Sequence, residues 1–192
     1  MHRVVVSEGI VLGKRGVGEA NTLVALLTRD MGLVRASARA GRREDSKLRY
    51  GLEPLSVGKF SFIRGKHEWK LTGVQDVTRA LRAEDATRRQ AVGRVTRLLL
   101  RLIHGEEAHP ALFETVYEGL RALVRIDPAY TENIEAVVVL RILSHLGYLP
   151  KTKELEPFIT QDLFSLELAG NIRASRGLLI RTINESLGAT GL

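Results

Sequence analysis

Six cations crowd into residues 35–49, RASARAGRREDSKLR: Arg35, Arg39, Arg42, Arg43, Lys47 and Arg49, set against Glu44 and Asp45. Arginine's planar fork matches pairs of phosphate oxygens, so a run of this kind suits a polyanion. Arg35 and Arg39 share a parity and leave the same face of an extended strand. The other four fall in the connection that follows. A strand face and its adjoining loop are therefore read as one phosphate-tracking groove. Lys14 and Arg15 are candidates to widen it, with Lys59, Lys66 and Lys70 behind them. Residues able to stack bases are few: Tyr50 and Trp69 are the candidates, while Phe60 and Phe62 read as core. A solvated charged loop is the competing reading of any such run. The charge distribution weighs against it. Residues 1–75 hold 14 Lys+Arg against 7 Asp+Glu, and the rest of the chain holds 15 against 15. The whole formal charge of +7 thus lies in the first 75 residues.

No pattern points to catalysis. Gly13-Lys-Arg-Gly-Val-Gly18 is glycine-rich but lacks the Lys-Ser/Thr ending of a phosphate-binding loop, and it precedes a strand. His104-Gly-Glu106 has the H-x-E of zinc deaminases without the cysteine pair that accompanies it. His104 and His109 are off the helical spacing of a paired zinc site. Cysteine is absent, which excludes disulfides, thiol nucleophiles and cysteine-held metals. The expectation is a non-enzyme with no metal and no cofactor. The opening MHRVVVSEGIVLGKR has no apolar stretch and cleavage site of the secretory kind, and no run approaches a membrane span. A cytoplasmic, nucleoid-associated bacterial protein is expected, with no membrane partner. With 44% hydrophobic residues, the chain has enough apolar material for a packed core.

Two kinds of element must position these residues. Up to about residue 75 the period is two. Val4, Val6, Ile10 and Leu12 share one parity; Thr22–Thr28 is a short apolar run; Leu33–Arg39, the segment around Val57–Ile63 and Trp69–Gly73 follow. Gly16 with Gly18, Asp30-Met-Gly32 and Arg64-Gly-Lys66 read as turns. Five short strands would expose their edges in an open sheet, so closure into an OB-type barrel is expected, with a small SH3-like barrel as the alternative. The spacing then becomes helical. Leu81, Val92, Val95, Leu99, Leu102 and Ile103 line one face of residues 79–104. Leu112, Val116, Leu120, Leu123 and Val124 repeat after His109-Pro110. Ile134, Val137, Val138 and Ile142 follow Asp127-Pro128, and Gly147 with Pro150 stops that run. A last segment near 173–187 carries Leu179, Ile180 and Ile183. Between Lys151 and Asn171, Phe158-Ile-Thr and Phe164–Leu168 fit short strands or irregular packing. The expected class is α+β with two domains: a five-stranded OB-type barrel over 1–77 and an all-helical domain over 78–192.

Three motifs resemble the RecO family of recombination mediators. Glu8-Gly-Ile-Val-Leu12 with Gly18-Glu-Ala20 is similar to the family's opening strand and turn. Arg39-Ala-Gly-Arg-Arg43, then Ser46, Leu48 and Leu52-Glu-Pro54, resembles its basic K-G-x-R segment and L-E-P-F sequel. Leu140–Leu143 leading to Leu146-Gly-Tyr-Leu-Pro150 resembles its helix ending in L-G-Y-L-P. The order and spacing hold from residue 8 to 150. The resemblance implies a DNA-binding OB domain and a helical domain. It also implies binding of single-stranded and duplex DNA and of the SSB tail, action with RecR to load RecA, and strand annealing. By motif match, Arg39, Arg42 and Arg43 inherit the DNA contact. An SSB tail is acidic with an apolar end, so Arg121, Arg125 and Arg141 on the helices are the docking candidates. Two departures stand out. The four-cysteine zinc module of many members is absent or metal-free here, and Ala40 stands where the family has glycine. The barrel and its charge alone fit an RNA-binding OB module of translation or RNA metabolism equally. A nuclease is the remaining alternative.

Overall fold

The computed structural model describes residues 3–17, 21–39, 47–150, 152–160, 164 and 166–189; for Lys47, Arg49, Leu166, Glu167, Asn171, Arg173 and Ala174 it describes the backbone alone. The first strands are β1 (Val4–Val17), β2 (Asn21–Thr28) and β3 (Gly32–Ala38). A short helix α1 (Lys47–Gly51) precedes β4 (Val57–Arg64) and β5 (Trp69–Thr78). These five strands close a barrel in the order β1-β2-β3-β5-β4, with β3 and β5 parallel and all other pairs antiparallel. That is the five-stranded Greek-key arrangement of an OB fold, which sets aside the SH3-like alternative.

β1 makes the closure possible by serving two neighbours. Its first half pairs with β4 and its second half with β2. Between them the register shifts at Val11/Gly13, a bulge that bends the strand. Past Ile10/Val57, where the β4 pairing ends, Leu55 and Ser56 satisfy the Val11 peptide on that side: Val11 N donates to Ser56 O at 2.9 Å and Leu55 N to Val11 O at 2.7 Å. Gly16, expected to turn the chain, instead pairs with Thr22 inside the strand. Inward-facing Val11, Val24, Leu26, Val34, Ala36, Phe60, Phe62 and Leu71 fill the barrel, and Leu52 joins them from beyond α1. Phe60 and Phe62 are fully buried, as their parity requires.

The helices are α2 (Ala86–Leu102), α3 (Pro110–Arg125), α4 (Thr131–His145), α5 (Glu156–Thr160) and α6 (Leu166–Ala189). The chain forms two compact units. Residues 97–113 belong with the barrel, and residues 83–96 with the remaining helices. In the first unit this returning segment braces the barrel. Leu100 lies 3.8 Å from where a Cβ on Gly13 would stand, Arg64 pairs with Glu106 at 2.9 Å, and Arg29 sits over the Phe113 ring.

In the second unit α4 is buried on most sides, by Ile134, Val137, Val138, Leu140, Ile142 and Leu143 among others. A short 3-10 turn, Pro128–Tyr130, leads into it, with Asp127 accepting from Ala129 N. Its end is built by Gly147 at φ 76: Tyr148 N donates to Leu143 O at 2.9 Å and Gly147 N to Ser144 O at 3.0 Å. The glycine of the Leu146–Pro150 motif is there because a left-handed residue must close the helix. Two sequence expectations change. Phe158-Ile-Thr is helical, with Phe158 its buried residue, and a helix runs from Leu166 in which the buried Leu168, Ala169, Ile172, Leu179 and Ile183 recur at helical spacing. Ile180, expected to share a face with Leu179 and Ile183, is 39% exposed.

Candidate nucleic-acid interface

The alternation of β3 sends Val34, Ala36 and Ala38 inward and Arg35, Ser37 and the following Arg39 outward. Register then aligns neighbours on the outer face. Arg15 of β1 pairs with Leu23 of β2, Leu23 with Ser37 of β3, and Ser37 with Lys70 of β5, so one row crosses four strands. Arg35 lies in the next row, opposite Ala25. Where the row meets the turn between β4 and β5 an open cleft of about 210 Å³ is lined by Leu23, Ser37, Arg39, Glu68 and Lys70 among others. Ser37 Oγ donates to Glu68 Oε1 at 2.8 Å, and Gly65 N to Glu68 O at 2.8 Å, which holds the turn.

Apart from Arg3, which precedes β1 and is exposed without an ion pair among the described residues, the cations of the barrel's strands and turns divide into two groups. One group is neutralised: Lys14 by Glu53 at 2.8 Å, Arg29 by Glu8 at 2.9 Å, Lys59 by Asp76 at 3.0 Å, Arg64 by Glu106 at 2.9 Å. The Asp76 carboxylate, through its hydrogen bond, also holds the Lys59 ammonium above its ordinary pKa. The other group, Arg15, Arg35, Arg39, Lys66 and Lys70, is exposed and makes no ion pair among the described residues. All of this second group lies on the β1-β2-β3-β5 face or in the turn beside its cleft. An OB barrel presents that face, between the β1–β2 and β4–β5 loops, to oligonucleotides.

Several sequence candidates land elsewhere. Lys14 is engaged with Glu53 rather than free on the face. Arg42 and Arg43 lie outside the described residues, as do the side chains of Lys47 and Arg49, whose backbone forms α1. Tyr50 is exposed, its ring open to solvent. Trp69 is half-buried, edge-on to Phe62 with the Arg64 guanidinium 4.9 Å over its ring. On the helices Arg121 pairs with Glu118 at 3.3 Å, and Arg125 is exposed in the last turn of α3. Arg141 is 5% exposed; its Nε donates to Phe158 O at 2.8 Å and its guanidinium lies over Phe164, so its described contacts are internal. Sequence reasoning missed Ser37 and Glu68. The parity that marked Arg35 and Arg39 also marks Ser37, and Glu68 follows the turn read at Arg64-Gly-Lys66.

Two family models match the chain in tandem: Recombination protein O N terminal over residues 1–78 and Recombination protein O C terminal over residues 83–154. The chain belongs to the RecO family. Curated RecO relatives agree, each called DNA repair protein RecO. That of Dehalococcoides mccartyi is 28% identical over 86% of this chain and 67% of its own length. That of Heliobacterium modesticaldum is 30% identical over 76% and 52%, and that of Moorella thermoacetica 28% over 88% and 60%. The chain thus spans between about half and two thirds of these RecO proteins. The barrel with its cationic face falls within the N-terminal RecO match, and α2, α3 and α4 within the C-terminal one. Among the described residues no helix is long and apolar enough to cross a membrane.

Proposed function

We propose that this RecO-family chain is a non-catalytic DNA-binding mediator of recombinational repair. It holds single-stranded or duplex DNA along the β1-β2-β3-β5 face, with Arg15, Arg35, Arg39 and Lys70 on the phosphates and Arg42 and Arg43 joining by motif. The observation that carries the reading is the segregation of cations: those on this face lack carboxylate partners among the described residues, while Lys14, Arg29, Lys59 and Arg64 elsewhere on the barrel have them, Arg3 ahead of β1 excepted. Charge neutralisation of this type is tolerant of sequence and releases counterions, so binding is salt-sensitive. Action at the nucleoid, docking of an SSB tail at Arg121 and Arg125 on the exposed side of α3, partnership with RecR and delivery of strands to RecA complete the role. Arg141 is left out of that docking site because it is buried.

Fluorescence anisotropy with single-stranded DNA, duplex DNA and RNA tests the reading, together with capture of the chain on an immobilised SSB-tail peptide. DNA binding with tail capture is expected. Replacing Arg39, Arg42 and Arg43 with Ala should flatten the log–log salt slope by about two units. A preference for RNA without tail capture would favour an RNA-binding OB module. Cleavage of labelled DNA in magnesium or manganese would overturn the non-catalytic assignment.

A further inference from the structure

The cleft at the end of the cationic face contains a feature that phosphate binding does not explain. Glu68 places a carboxylate among Arg39, Lys70 and Ser37, where a phosphate would be repelled. Its position is fixed twice. Ser37 Oγ donates to Oε1 at 2.8 Å, and the turn that carries it is closed by Gly65 N on Glu68 O at 2.8 Å. A Cβ on Gly65 would meet Glu68 O at 2.8 Å, so the turn tolerates little at that position. Neither Lys70 nor Arg39 forms an ion pair with this carboxylate among the described residues, although both line the same cleft. The group is therefore held by a neutral hydroxyl and not neutralised by its basic neighbours.

The cleft's volume of about 210 Å³ lies below the ~300 Å³ at which sites for drug-sized ligands begin. It fits one ring rather than a length of strand. Its lining is amphiphilic: Leu23 gives an apolar surface for a ring, and Ser37 with Glu68 gives a hydrogen-bonding edge. A carboxylate accepts hydrogen bonds. Among the bases, cytosine, adenine and guanine carry an exocyclic amino group to offer such an acceptor; cytosine is the single-ring one, and carboxylates pair with its amino group in nucleic-acid recognition generally. Thymine has no amino group and offers a single N3–H, flanked by two carbonyl oxygens that the same carboxylate repels.

We infer that this cleft takes a single unstacked base and that Glu68, positioned by Ser37, selects amino-bearing bases, cytosine first, over thymine. The backbone passes along Arg35, Arg39 and Lys70 at the rim while the base turns inward. The inference rests on the nucleic-acid-binding reading above and adds a base preference to a contact otherwise indifferent to sequence.

The test compares oligo-dC with oligo-dT of equal length by anisotropy, using the full chain, its Glu68→Gln variant and its Ser37→Ala variant. The intact chain should bind oligo-dC about fivefold more tightly, the lower end of the discrimination one good base contact gives. Glu68→Gln can donate to thymine as readily as it accepts from cytosine, so it should bring the two affinities to within about twofold. It should also tighten binding of both strands, because a negative charge is lost. Ser37→Ala should lower the ratio without abolishing it. Equal affinities in the intact chain, or a preference that survives Glu68→Gln, would overturn base selection while leaving salt-dependent DNA binding in place. Loss of all binding by the intact chain would overturn the underlying reading as well.

Discussion

Ser37 on β3 donates its hydroxyl proton to the Glu68 carboxylate at 2.8 Å, tying the end of one strand to the turn that opens its parallel neighbour. The β3–β5 pairing that this bond flanks is short: Ala36, Ser37 and Ala38 against Trp69, Lys70 and Leu71. It closes the barrel, and it brings Lys70 into the row that starts at Arg15. Closure of the fold and assembly of the basic face are one event.

Gly32 opens β3 at φ 67, and a Cβ there would come within 2.3 Å of Glu107 O. Gly32→Ala combines left-handed strain with a collision against backbone. It should destabilise the first unit by about 2–4 kcal/mol, read by chemical denaturation. Gly105→Ala is the comparison: it also has positive φ, at 88, but its Cβ would meet nothing within 4 Å, so its cost should be smaller.

Where α3 crosses α4, a Cβ on Gly119 would lie 2.8 Å from Val138 Cγ2. Gly119→Ala should cost about 1–3 kcal/mol through overpacking. Val138→Ala made in the same chain should recover part of it, giving a favourable coupling energy in a double-mutant cycle. Additive losses would contradict the close crossing.

Arg94 of α2 grips Glu135 of α4 with two hydrogen bonds of 2.6 Å, and Glu135 keeps only 14% of its side-chain surface. The hydrogen bonds to Glu135 hold the Arg94 guanidinium above its ordinary pKa. Arg94 is half exposed, so screening reduces the pair's net contribution. Arg94→Ala should lower stability by about 1 kcal/mol, and Arg94→Lys should recover only part because an ammonium lacks the fork. Thermal denaturation of the three proteins reads the difference.

Asp85 accepts the Arg88 backbone N–H at 2.9 Å at the start of α2, and that bond holds its carboxyl below the ordinary value of 3.8. A depressed folded pKa contributes stability that is full above the unfolded value and lost as pH falls through the folded one. The melting temperature should therefore drop below about pH 4 by less in Asp85→Asn, which keeps a capping oxygen, than in the parent chain.

Much of this was legible in the residues. The parity of Phe60 and Phe62 marked the barrel interior, whereas in β1 Val4 and Val6, grouped with Ile10 and Leu12, are exposed and Val11 is in the core; Pro110, Asp127-Pro128 and Gly147 marked helix ends that the structure places nearby. The path of β1 was not legible. A period of two carries no sign of the bulge at Val11/Gly13, so Gly16 read as a turn when it is paired strand. Arg35 and Arg39 could be placed on one face from spacing alone. Which cations are neutralised could not, since Lys14 meets Glu53 and Arg64 meets Glu106 only after closure. Arg141 reads as a surface cation in sequence and is buried because α5 and Phe164 cover it. The Ser37–Glu68 bond spans two strands and was invisible for the same reason.

The split between free and paired cations is tested most directly by the salt dependence of single-stranded DNA binding in two sets of variants. At roughly −0.7 per neutralised phosphate, replacing Arg35, Arg39 and Lys70 together with Ala should flatten the log–log slope by about two units. Replacing Lys14 and Lys59, which are already paired with Glu53 and Asp76, should leave the slope as it was. Equal flattening by both sets, or an unchanged slope in the first, would contradict the assignment of the β1-β2-β3-β5 face.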